Sequence, residues 1–111
     1  MPKITLKLSK TTGLGKLSFN GKEYNCGGKV DFAYPADTTL SGHKELCHKS
    51  REYNNVEMKY SVLWIGQKGV YFHEWPCLEN SSGCIHLLAP DAKEFYDSIN
   101  GGERVVFSWT D

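Results

Sequence analysis

Two histidines bracket a cysteine in the last third of this chain. Residues 69–75 read GVYFHEW and residues 81–88 read SSGCIHLL, so His73 precedes Cys84 and His86 follows it. A thiol attacks carbon only as thiolate, and at an ordinary cysteine pKa near ~8.5 only a few per cent is ionised at neutral pH. A neighbouring imidazole changes this by taking the proton. His73, at the end of a predicted strand, is placed to do so if that strand runs beside the SSGC loop. Gly83 allows a tight turn and close approach of a substrate, with the N–H of Cys84, and with it that of Gly83, as candidate donors to an oxyanion on an acyl carbon. The same residues have plainer readings. A cysteine in an apolar run is most often a small buried hydrophobe, and a histidine among aromatics is most often core or surface. His73, Cys77, Cys84 and His86 could also form a Cys2His2 zinc site, although their His-x3-Cys and Cys-x-His gaps depart from the usual Cys-x2-4-Cys knuckle.

The elements that must position these residues are mostly strands. KITLKL puts Ile4, Leu6 and Leu8 on one face, GKLSF offers Leu17 and Phe19, and YSVLWI and GVYFH read as a hairpin split by GQKG. ERVVFSW is a final strand whose Val105, Val106 and Phe107 imply burial. The middle, from NCGGKVDFAYPADTTLSGHK to CHKSREYNN, reads as loops and short strands, with Pro35 arguing against a long one. His43 and His48 lie there and read as solvated. One helix is expected in APDAKEFYDSINGG. Pro90 fits its first position, Asp91 and Glu94 its positive end and Gly101 the position past its end, with Ala92, Phe95, Tyr96 and Ile99 as its apolar stripe. Of the aromatics around His73 (Trp64, Tyr71, Phe72 and Trp75), alternate members are expected in the core, and Trp75 is the best candidate to line a groove.

Composition sets the outer bounds. A chain of 111 residues that is 40% hydrophobic and 13% aromatic suits one domain, residues 1–111, with one core. Thirteen basic and thirteen acidic side chains cancel and are scattered, which argues against a nucleic-acid or anionic-membrane partner. No stretch approaches a membrane span, and the N-terminus lacks the apolar core of a secretory signal. If Cys84 is reactive, Cys26, Cys47 and Cys77 can form at most one bridge.

This constellation resembles the L,D-transpeptidase catalytic-domain (YkuD-like) family. There a histidine ending a strand is followed by a loop, Ser/Thr-x-Gly-Cys-apolar-Arg/Asn, a helix, and a strand introduced by Gly-x-x-Val. The matching positions are His73, Ser81, Gly83, Cys84 and Ile85, then PDAKEFYDSINGGERVVF, while YPADTTLSGHKE is weakly similar to the family's Pro-Thr-Pro-x-Gly segment. Histidine before cysteine is also the order that separates this family from papain-like and NlpC/P60-type peptidases. The resemblance implies a mostly β, β-sandwich-like fold with one helix in the C-terminal region, and neither cofactor nor metal. It implies Cys84 as the acylated nucleophile, His73 as its base, Ser81 as support for the loop, and substrate contacts from Ser82, His86 and Trp75. The implied reaction attacks the L,D bond of a peptidoglycan stem peptide at diaminopimelate, releases the terminal D-residue, and passes the acyl group to an amine or to water.

Action in the bacterial periplasm or cell wall is then expected. No Sec signal is visible, so either the sequence is that of a mature form or export takes another route; LGKLSFNGKEYNCGGK is loosely similar to small type VI secretion effectors, a resemblance that implies a specialised export route, an antibacterial role and a cognate immunity protein. Two departures favour a rival reading, a catalytically silent peptidoglycan- or partner-binding module on the same fold: His86 stands where Arg or Asn is usual, and the loop EWPCLENS is short. Ser82 stands where His is common, a variant that some members share.

Overall fold

In KITLKLS the period-two pattern buries Ile4, Leu6 and Leu8 completely, and this segment is strand β1 (Lys3–Ser9). It pairs antiparallel with β2 (Leu14–Phe19), which turns through Asn20 and Gly21, both at positive φ (53° and 75°), into β3 (Lys22–Gly27). Left-handed conformations at both central residues are what a tight hairpin demands. There follow β4 (Asp37–Thr39), β5 (Lys44–Ser50), β6 (Val56–Ile65), β7 (Val70–Glu74), β8 (Ile85–Leu87), helix α1 (Asp91–Ser98) and β9 (Arg104–Thr110). This is the arrangement in a computed structural model that describes residues 2–50 and 56–111.

Among the described residues, nine strands belong to one sheet in the order β4-β9-β1-β2-β3-β8-β7-β6-β5. The β1–β9 and β7–β8 pairs are parallel and the others antiparallel. The sheet curls over its own core. Trp64 of β6 lies 6.3 Å, ring to ring, from Phe107 of β9 and donates from Nε1 to Thr38 Oγ1 of β4 at 2.7 Å, although those strands stand far apart in the sheet order. A mostly β, sandwich-like body with one helix is therefore the architecture.

The helix closes the remaining apolar face. Ala92, Phe95 and Ile99 are buried, and the Phe95 ring meets Phe19, Tyr24 and Phe72 at 6.1, 6.3 and 5.3 Å. Burial of one such ring contributes about 1.5–3 kcal/mol. Lys44 Nζ donates to the carbonyls of Tyr96 and Ile99, both at 2.9 Å, and so supplies a cation and two hydrogen bonds at the helix end.

Several elements depart from the expectations. Pro90 is the N-cap rather than the first helical residue. The middle holds two fuller strands than expected. In β3, Tyr24 and Cys26 point inward, whereas β5 runs along an edge with Leu46 and Cys47 exposed. Residues 28–36, with Pro35, do form irregular chain. The RE-YNN stretch at 51–55 lies outside the described residues. Among those described, no helix is long and apolar enough to cross a membrane.

Candidate active site

Parallel pairing of β7 with β8 places Phe72 opposite Ile85 and His73 opposite His86. Side chains alternate across a strand, so Phe72 and Ile85 enter the core while Tyr71, His73, Cys84 and His86 share the other face. All four line a groove of about 480 Å³. Cys84 stands level with Tyr71, and His73 is its diagonal neighbour one pleat further along, a separation that side chains can bridge.

The connection 75–84 makes this pairing possible by crossing closely over β3. A Cβ on Gly27 would lie 2.0 Å from the Leu78 carbonyl oxygen, so only glycine admits the loop there. The backbone of Cys77, Leu78 and Glu79 passes beside the His86 ring and favours its protonated form. That ring is 5% exposed and stacks on Trp75 at 5.6 Å, and its Nδ1 is buried with no hydrogen-bond partner. Burial lowers the His86 pKa, with the loop backbone opposing the shift.

Ser81 ties the turn before the cysteine. Its Oγ accepts the Gly83 N–H at 3.0 Å and donates to the Cys84 carbonyl. The Gly83 amide is thereby engaged, so the expectation that it faces an oxyanion is not met, and the Cys84 N–H remains the candidate donor. Gly83 has φ +143°, and a Cβ there would come 2.8 Å from Phe32 Cε2. Its carbonyl accepts a 2.6 Å hydrogen bond from Tyr34 Oη, which also accepts the Lys29 N–H at 2.8 Å. Tyr34 is stacked on Trp64 at 5.3 Å, and burial pushes its phenol up to about 12. Nothing in the sequence pattern marked Tyr34 as the anchor of the cysteine loop.

Cys84 Sγ accepts the Tyr71 N–H at 3.4 Å and lies 3.7 Å from the Gly69 carbonyl. His73 is 2% exposed and its Nδ1 is 2.9 Å from the Glu74 carbonyl. A carbonyl only accepts, so Nδ1 carries the proton and Nε2 is the basic nitrogen. Desolvation lowers the His73 pKa to about 4, with the Glu74 carbonyl opposing and the nearby His86 and His48 adding to the shift. His73 is thus neutral at physiological pH, a base waiting for a proton rather than half of a standing ion pair.

Trp75 flanks His73 edge-on at 5.6 Å and lines the groove, as does the exposed Ser82. His48, read from the sequence as solvated, also lines it, stacked on Tyr71 at 4.4 Å. The sequence offers no periodic signal for this, because adjacent Leu46 and Cys47 of β5 are both exposed and the strand does not alternate. Among the described residues, no three or more of His, Cys, Asp and Glu gather as metal ligands, so the zinc reading finds no such set. Cys26, Cys47 and Cys77 are free thiols.

The profile of the YkuD family, L,D-transpeptidase catalytic domain, matches residues 9–107. Comparison with curated proteins gives no match. Among solved structures, an L,D-transpeptidase from Stackebrandtia nassauensis superposes with TM-score 0.73 at 21% identity, covering 96% of this chain and 55% of that one. L,D-transpeptidase 1 of Mycobacterium tuberculosis gives 0.72 at 17% identity, covering 98% and 62%. A further L,D-transpeptidase from Mycobacterium tuberculosis H37Rv gives 0.68 at 24% identity, covering 96% and 58%. The chain thus spans a little over half the length of these structures, and the likeness to them concerns the fold. The profile match, over nearly the whole chain, makes this protein a member of the YkuD family of L,D-transpeptidase catalytic domains.

Proposed function

We infer that the protein is a cysteine acyltransferase acting on peptidoglycan stem peptides, with Cys84 as nucleophile and His73 as base. One observation carries the reading: the β7–β8 register brings His73, with its tautomer fixed, and Cys84 to one groove. His73 Nε2 takes the thiol proton as Sγ attacks the carbonyl of the diaminopimelate residue. The Cys84 N–H supports the tetrahedral oxyanion. Collapse breaks the C–N bond, and His73 gives its proton to the departing amine of the terminal D-residue. A thioester on Cys84 remains.

Attack on this thioester by an amine gives transpeptidation or exchange, and attack by water gives L,D-carboxypeptidase activity. Ser81 holds the turn, Gly83 supplies its backbone geometry, Trp75 walls the groove and Ser82 offers a polar rim. His86, buried with an unpartnered Nδ1, suits acceptance of a substrate N–H. The reaction belongs in the periplasm or cell wall. Delivered into a rival's periplasm by a specialised secretion system it would damage the wall, and a neighbouring immunity protein would then be a partner.

Muropeptide mass spectrometry with disaccharide-tetrapeptide and a free D-amino acid tests the reading. Loss or exchange of the terminal D-alanine by wild type, absent in folded Cys84→Ala, is expected. No product from wild type would point instead to a silent binding module.

A further inference from the structure

The groove has a third histidine beside His73 and His86, held by a carboxylate, that the steps above do not use. Glu45 Oε2 accepts hydrogen bonds from His48 Nδ1 at 2.9 Å, His43 Nε2 at 3.0 Å and Tyr71 Oη at 3.3 Å. Those hydrogen bonds leave the Glu45 carboxyl below its ordinary value although burial pushes the other way, so it is an anion at neutral pH. The two histidines it holds are placed differently. The His43 side chain is half exposed and lies outside the groove lining, whereas that of His48 is a quarter exposed, packs flat on Tyr71 and lines the groove. Because Nδ1 faces the carboxylate, Nε2 is the basic end of the His48 ring.

Tyr71 connects this pair to the thiol. Its ring carries His48, its hydroxyl meets Glu45, and its backbone N–H donates to Cys84 Sγ. Besides the buried His86 of β8, the cysteine's groove therefore receives one histidine from β7, set against a neutral carbonyl and desolvated, and another from β5, set against an anion. Two imidazoles with their Nδ1 atoms held by different partners, a carbonyl and a carboxylate, thus present their Nε2 atoms at one site.

We propose that His48 is the acid–base group for resolving the thioester, with Glu45 as its positioning residue. This rests on Cys84 being acylated. His48 Nε2 takes one proton from the acceptor amine or water as its nitrogen or oxygen bonds to the thioester carbon. The C–S bond then breaks, with the electron pair leaving on Cys84 Sγ as thiolate. Glu45 balances the charge that His48 has gained, and the proton passes back to the thiolate, restoring both groups. His73 serves formation of the acyl-enzyme and His48 its breakdown.

The test is a single-turnover comparison of wild type, His48→Gln and Glu45→Gln with disaccharide-tetrapeptide and free D-methionine. Rapid quenching reads release of D-alanine, and intact-protein mass reads the lifetime of the adduct. In both variants D-alanine release in the first turnover should stay within about twofold of wild type, while the thioester persists about 100-fold longer and accumulates. Thermal melting identifies a variant that has lost its fold, and the other variant then decides. Equal slowing of both steps, or an unchanged thioester lifetime, overturns the division of labour while leaving Cys84 acylation standing. Failure of wild type to form an adduct removes the acylation reading and this one with it.

Discussion

Acidification should destabilise this protein through His73 by an amount set by its lowered pKa. The ring is 2% exposed and its pKa is lowered from 6.5 to about 4. Above pH 6.5 the residue is neutral in both folded and unfolded chains, and the stability linked to it is complete. As pH falls below 6.5 the unfolded chain binds a proton that the folded protein refuses until about pH 4, so stability is lost. At 1.36 kcal/mol per pH unit, the gap between those two values sets a total loss of about 3.4 kcal/mol, of which about 2.5 kcal/mol appears between pH 7.5 and 4.5. Burial of His86 adds a loss of the same sign.

Urea unfolding of wild type and His73→Gln at the two pH values isolates the His73 share. The stability of wild type relative to the variant should drop by about 2.5 kcal/mol on going to pH 4.5. A difference independent of pH would show that His73 is not desolvated and would refute the reasoning. The same shift predicts that the acid limb of the acylation rate lies nearer pH 4 than pH 6.5, because Nε2 stays unprotonated down to that range.

Gly83→Ala forces a non-glycine residue to φ +143° and against Phe32, so it should cost about 1–3 kcal/mol in urea unfolding and lower acylation sharply. Tyr34→Phe keeps the stack on Trp64 but leaves the Gly83 carbonyl and Lys29 N–H without their partner, a loss of about 1–3 kcal/mol accompanied by a slower first turnover. Cys26 is fully buried and its thiol is pushed up to about 12, so native-state alkylation followed by peptide mapping should label the exposed Cys47 and spare Cys26 until denaturant is added.

The core was legible where a single local rule governed. Strict alternation marked β1, the aromatic and β-branched runs marked β6 and β7, and the stripe Ala92, Phe95, Ile99 marked α1. The cysteine and its first histidine were legible because Gly83-Cys84 is a local motif and His73 ends a strongly patterned strand. What escaped depends on distant chain. β5 alternates poorly, and its course is set by pairing with β6, so His48 looked solvated. Tyr34 sits in an irregular segment 49 residues before the carbonyl it anchors. Gly27 is required because Leu78 passes over it, and no local pattern announces such a crossing.

The central claim is that Cys84 carries the acyl group. Intact-protein mass spectrometry of wild type quenched in acid during turnover of disaccharide-tetrapeptide, followed by peptide mapping, measures it directly. The account predicts a mass gain equal to the substrate less D-alanine, located on Cys84 and absent from folded Cys84→Ala. Product formation with no adduct on Cys84, or undiminished turnover by Cys84→Ala, would contradict it.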